Sequence, residues 1–105
     1  MATFIGGGDA EVQAEILSQA GVARKLTAGA TSANTALTST CRRVTMRAVT
    51  ADIRYSIGTT AQTATTNSHF IASGERLDLA VPAGANIAVI RDAATSGTLE
   101  LTELV

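Results

Sequence analysis

Side chains able to do chemistry are scarce in this chain of 105 residues, which holds one His (His69), one Cys (Cys41), one Tyr (Tyr55) and no Trp. A lone histidine can serve as a base, a metal ligand or a pH-responsive group. No Ser-His-Asp or paired-ligand spacing accompanies His69, and a zinc site needs three or four protein ligands, so His69 beside Phe70 reads as a structural or surface residue. Cys41 precedes Arg42 and Arg43, whose charges would lower its thiol pKa. That makes it at most more reactive than a buried thiol, and a passive strand-edge residue is the simpler reading. Gly6, Gly7 and Gly8 stand before a predicted helix, where a phosphate-cradling loop would stand. The loop has no Lys, no strand before it and no suitably spaced Asp after it, so these glycines read as a hinge in a flexible arm. The acidic residues are scattered singly. No catalytic, cofactor-binding or metal-binding set emerges, and the chain is expected not to be an enzyme.

Arg42, Arg43, Arg47 and Arg54 carry more promise, because arginine pairs carboxylates through two parallel hydrogen bonds. If the strand holding Arg43, Thr45 and Arg47 neighbours the one holding Asp52 and Arg54, their outward faces form a positive strip. It is either a solvated sheet face or a contact with acidic residues of a neighbouring subunit or a capsid shell.

Composition sets the limits for what must position these residues. With 46% hydrophobic, 16% charged and 3% aromatic residues, the chain fits one small domain. The net charge is −1, from eight Lys+Arg against nine Asp+Glu, so a concentrated positive field is lacking and nucleic acid is not an expected partner. The least charged stretch, Leu26 to Cys41, is full of Thr, Ser, Gly and Asn rather than the roughly 20 apolar residues of a spanning helix, so no membrane partner is expected. Met1 to Gly8 resembles no secretory signal, and synthesis in the cytosol is expected. A single Cys cannot form an intramolecular disulfide.

Along the chain, residues 1–21 read as an arm and residues 22–105 as a sandwich domain. Phe4 and Ile5 are apolar and precede the glycine hinge. From Asp9 to Ala20 the residues favour a helix, with Asp9 as N-cap, Glu11 at the positive end of the dipole and Gly21 to end it. Val12, Ile16 and Leu17 form a narrow apolar stripe on it. A helix of about 12 residues is marginal alone and must dock on its own domain or on a neighbour. After Gly21 the period changes to two. Val22 to Thr27 and Ala33 to Thr38 suggest a first hairpin across a Gly-containing turn. Val44, Met46 and Ala48 alternate with Arg43, Thr45 and Arg47; Ile53, Tyr55 and Ile57 alternate with Asp52, Arg54 and Ser56. Residues 59–68 lack any large apolar side chain and read as an exposed loop. Short strands follow at His69–Ala72, at Leu77, Leu79 and Val81, and at Leu99 and Leu101. The run Ile87 to Ile90 is apolar without alternation, as for a strand covered on both faces or lying at a subunit contact. About eight short strands at this spacing predict an all-β fold, a single antiparallel β-sandwich of jelly-roll type. Val44, Met46, Ile53, Tyr55, Leu77, Leu79, Val89 and Leu101 are its expected core.

The succession RRVTMRAVTADIRYSIG, a Thr/Ala loop, and HFIASGERLDLAVPAGANIAVIRDAATSGTLELTEL resembles a group of small virion proteins of tailed bacteriophages. The resemblance spans Arg42 to Leu104 and rests on turn and core positions rather than on catalytic signatures. It implies a non-enzymatic structural protein of the virion, a capsid decoration (cement) or head accessory protein made in the bacterial host cytoplasm. It also implies a homo-oligomer, a trimer by the habit of decoration proteins, with the phage major capsid protein as partner and no small-molecule substrate. On this reading Phe4, Ile5, Val12, Ile16, Leu17, Arg43, Arg47 and Arg54 make the subunit and capsid contacts. A receptor- or carbohydrate-binding module of a phage tail or fibre is the alternative; the scarcity of aromatics for stacking on sugars counts against it.

Overall fold

The alternation around Val44 produces a strand with one apolar face, because successive side chains on an extended backbone point to opposite sides. In the computed structural model, which describes residues 19–105, that strand is one of eight. They are β1 (Ala20–Ala28), β2 (Ala33–Ala36), β3 (Arg43–Val49), β4 (Ile53–Gly58), β5 (His69–Ile71), β6 (Arg76–Ala80), β7 (Asn86–Arg91) and β8 (Gly97–Leu104). They form two four-stranded sheets, ordered β1-β8-β3-β6 and β2-β7-β4-β5, and every strand pairing is antiparallel. The chain changes sheet at each connection except β4 to β5. That winding is the double-sheet jelly roll, as the strand pattern predicts.

Each sheet turns one apolar face inward. Val44, Met46, Leu99 and Leu101 from the first sheet meet Ile53, Ile71, Ile87 and Val89 from the second, all almost wholly buried. Burying each such side chain contributes about 1.5–3 kcal/mol. Six of the eight expected core residues are buried; Leu77 and Leu79 are half-buried and pack against the cluster, because β6 is an edge strand with a neighbour on one side only.

Three local expectations are corrected by this topology. β1 and β2 do not pair: β1 lies against β8 and β2 against β7, so the Ala28–Ser32 turn carries the chain between sheets instead of closing a hairpin. β3 and β4 lie in different sheets as well, so Arg43 and Arg47 share no strip with Arg54. Ala20 and Gly21 belong to β1 rather than to a helix end, and Gln19 already exchanges backbone hydrogen bonds with Val105 at 3.1 and 2.8 Å. The other arm residues singled out, Phe4, Ile5, Val12, Ile16 and Leu17, lie outside the described residues.

The crossover from β3 to β4 is abrupt. Thr50 there has φ of 80°, a left-handed conformation that a β-branched residue adopts only when its surroundings force it. A close approach fixes Gly97 at the start of β8, where a Cβ would stand 2.9 Å from the Val49 carbonyl oxygen.

Candidate interaction surface

The two sheets treat their outer faces differently. Across β2-β7-β4, Asn34, Ala88 and Ser56 stand side by side on the outward row. Residues 59–68 cross this row. Gln62 straddles it, its Oε1 accepting a hydrogen bond from Ser56 Oγ at 2.7 Å and its backbone N–H donating to Asn34 Oδ1 at 2.8 Å. Two positions on, the Ala64 N–H donates to Ser32 Oγ at 2.8 Å. Ala64 and Ala88 are consequently buried although neither belongs to the core between the sheets. The loop expected to be merely exposed is mostly so, but it is pinned through polar side chains and works as a lid on one sheet. The unalternating run Ile87 to Ile90 has the same explanation: β7 is covered on its inner face by the other sheet and over Ala88 by this loop.

Arg54 belongs to that covered side and is fully engaged. Its Nε donates to Asp92 Oδ1 at 2.7 Å, its Nη1 donates to the Ser68 carbonyl at 3.1 Å, and its guanidinium lies 4.6 Å from the centroid of the Phe70 ring. These contacts tie the end of the lid to the β7–β8 loop, so Arg54 works within the fold.

Outside the β1-β8-β3-β6 sheet no described segment lies across the face. Register places Lys25, Glu100, Arg47 and Arg76 in one transverse row, and Ala23, Thr102, Thr45 and Asp78 in the next. Arg43 stands further along β3, between Leu104 and Ala80. A shallow depression of about 150 Å³ lies at the centre, lined by Thr45, Met46, Arg47, Arg76, Glu100 and Thr102. Arg47 and Arg76 are directly opposite each other, an arrangement of like charges that destabilises a strand pair. Among the described residues neither joins an ion pair, unlike Arg24, which pairs with Glu103, and Arg54, which pairs with Asp92. Sequence reading found Arg47 but missed Arg76, since nothing local says that β6 lies beside β3.

Among the described residues one charged side chain is buried. Glu103 is almost completely buried at the end of β8, where it accepts hydrogen bonds from Arg24 Nε at 2.8 Å and from the Thr38 N–H at 3.1 Å. Burial pushes its carboxyl upward, but hydrogen bonds from the Thr38 hydroxyl and amide and from Arg24 outweigh burial and hold it below the usual carboxylate range. It clasps the β2–β3 loop to the first sheet. A signal for it existed: the parity that puts Leu99 and Leu101 inward puts Glu103 inward too. Cys41 lies buried in the same loop, its thiol donating to the Arg43 carbonyl at 3.3 Å. Burial pushes that thiol upward, opposite to the lowering expected from Arg42 and Arg43 and in keeping with the passive reading of Cys41. His69 is exposed at the edge of β5, its ring 5.4 Å from that of Tyr55, at the rim of a groove bounded by Ile57, Leu79 and Pro82.

Among the described residues no group of three or more His, Cys, Asp and Glu could hold a metal ion, and no helix is long and apolar enough to cross a membrane. Compared with known proteins, the chain matches no family model, no curated protein and no solved structure.

Proposed function

We propose that this chain is a non-enzymatic structural protein of a tailed-phage virion, a capsid decoration or head accessory subunit that oligomerises, as a trimer, and binds capsid subunits. The virion context rests on the resemblance of Arg42–Leu104 to such proteins. The observation that carries the binding role is the unequal pair of outer faces: among the described residues, the 59–68 loop lies on one sheet and no segment lies across the other, where Arg47 and Arg76 face each other outside any ion pair. A four-stranded sheet face presents a regular grid of side chains about 4.8 Å apart between strands, suited to lying on another protein. The alternative, a sugar- or receptor-binding module, would use aromatic faces. Phe70 is 43% exposed, but the Arg54 guanidinium occupies one side of its ring.

The test is co-sedimentation of the purified chain with DNA-free heads of the phage that encodes it, together with the oligomeric mass by light scattering. Saturable binding at a fixed ratio to the major capsid protein, by a species three times the chain mass, is the expected result. A chain that stays at the top of the gradient and is missing from purified virions would sink the reading.

A further inference from the structure

We infer that the outer face of the β1-β8-β3-β6 sheet is a docking surface for a carboxylate-bearing protein segment, received where Arg47 and Arg76 flank the central depression. This deepens the reading above by naming the face and the chemistry it meets. Leaving Arg43 aside, the outward positions carry Lys25, Arg47 and Arg76 against Glu100 and Asp78, a surplus of one positive charge on a chain whose net charge is −1. The surplus gathers on the β3–β6 half, because Lys25 and Glu100 oppose each other on the β1–β8 half.

Comparison with Arg54 shows what a settled arginine looks like in this fold: an ion pair at 2.7 Å, a backbone carbonyl at 3.1 Å and an aromatic ring beneath it. Arg47 and Arg76 have no such partners among the described residues and face each other across β3 and β6. A carboxylate placed between them relieves the repulsion and accepts bidentate hydrogen bonds from planar guanidinium groups. The hydroxyls of Thr45 and Thr102 line the same depression and supply further donors.

The acidic residues on the face decide between partners. Glu100 borders Arg47, and Asp78 follows Arg76 by two residues on β6. A uniform polyanion such as a nucleic acid or a sulfated glycan would run its charges onto both carboxylates. A protein surface, which can set a carboxylate over the arginines and a cation or hydroxyl over Glu100, fits both signs.

The experiment uses the full chain labelled with 15N and titrated with a short capped peptide alternating Glu and Gly, with a heparin hexasaccharide and a 12-nucleotide single strand in parallel. None of the three probes requires a phage particle, so a failure here is separable from a failure of capsid binding. Expected are saturable amide shifts confined to residues 43–47, 76–80 and 98–102. They should weaken about fivefold in the R47Q/R76Q double variant, strengthen in E100Q, and fade with added salt. Lack of shifts at these amides, or shifts unchanged in the double variant, overturns the inference. So does tighter binding of heparin or the oligonucleotide at the same residues, which would make the face a polyanion site.

Discussion

Both outer faces of this sandwich are polar, yet among the described residues one is crossed by the chain itself and the other is not. On the closed side Asn34 and Ser56 flank an alanine, and their short polar side chains hold the crossing backbone of Gln62 close. On the open side the corresponding row carries long charged side chains, Lys25, Glu100, Arg47 and Arg76, on which no loop could settle without burying charge. The difference teaches that residue size and charge on the outward row, more than overall polarity, decide whether a sheet face belongs to the fold or to a partner.

Substitution at the centre of each face breaks this comparison most directly. Ala88→Glu must push the lid away or bury a carboxylate beneath it, and is expected to cost about 3 kcal/mol. The matching change on the open face, Thr45→Glu, is expected to stay within about 0.5 kcal/mol. Urea unfolding of both variants measures the contrast; equal losses would mean that the lid covers nothing of consequence.

A smaller effect is expected on the inner side, where Glu103 is the buried charge among the described residues. Arg24→Met leaves that carboxylate buried with the Thr38 donors alone. Because Arg24 is partly exposed, the expected cost at pH 7 is about 1–2 kcal/mol rather than the larger loss of a fully buried pair. The pH dependence has a definite sign. Glu103 is held below its ordinary value of 4.5 in the folded chain, so its contribution is complete above that pH and is lost as pH falls through the folded value. The gap between the parent chain and R24M should therefore shrink between pH 7 and pH 3. A gap that stays constant in urea unfolding at both pH values would remove Glu103 from the account.

The smallest effect sharpens the reading of the open face. Arg47→Gln removes one of two opposed like charges, and stability is expected to hold or rise by a few tenths of a kcal/mol, with the gain largest at low ionic strength. A clear loss of melting temperature in R47Q would show that Arg47 is held within the fold as Arg54 is.

Strand existence and the inward rows of β3 and β4 followed from sequence alone, because the two-residue period of a strand is a local property that burial of one face imposes on every alternate residue. Val44, Met46, Ile53 and Tyr55 were legible for that reason, and so was the overall sandwich class. Strand neighbours were not. β1 finds β8, and β3 finds both β8 and β6, across separations that no local signal encodes. Only the tertiary structure could part Arg54 from Arg43 and Arg47, bring Arg76 beside Arg47, and lay residues 59–68 over Ala88. Each of these depends on which backbones share hydrogen bonds, and that choice is made by the closing of the whole core rather than by any one segment.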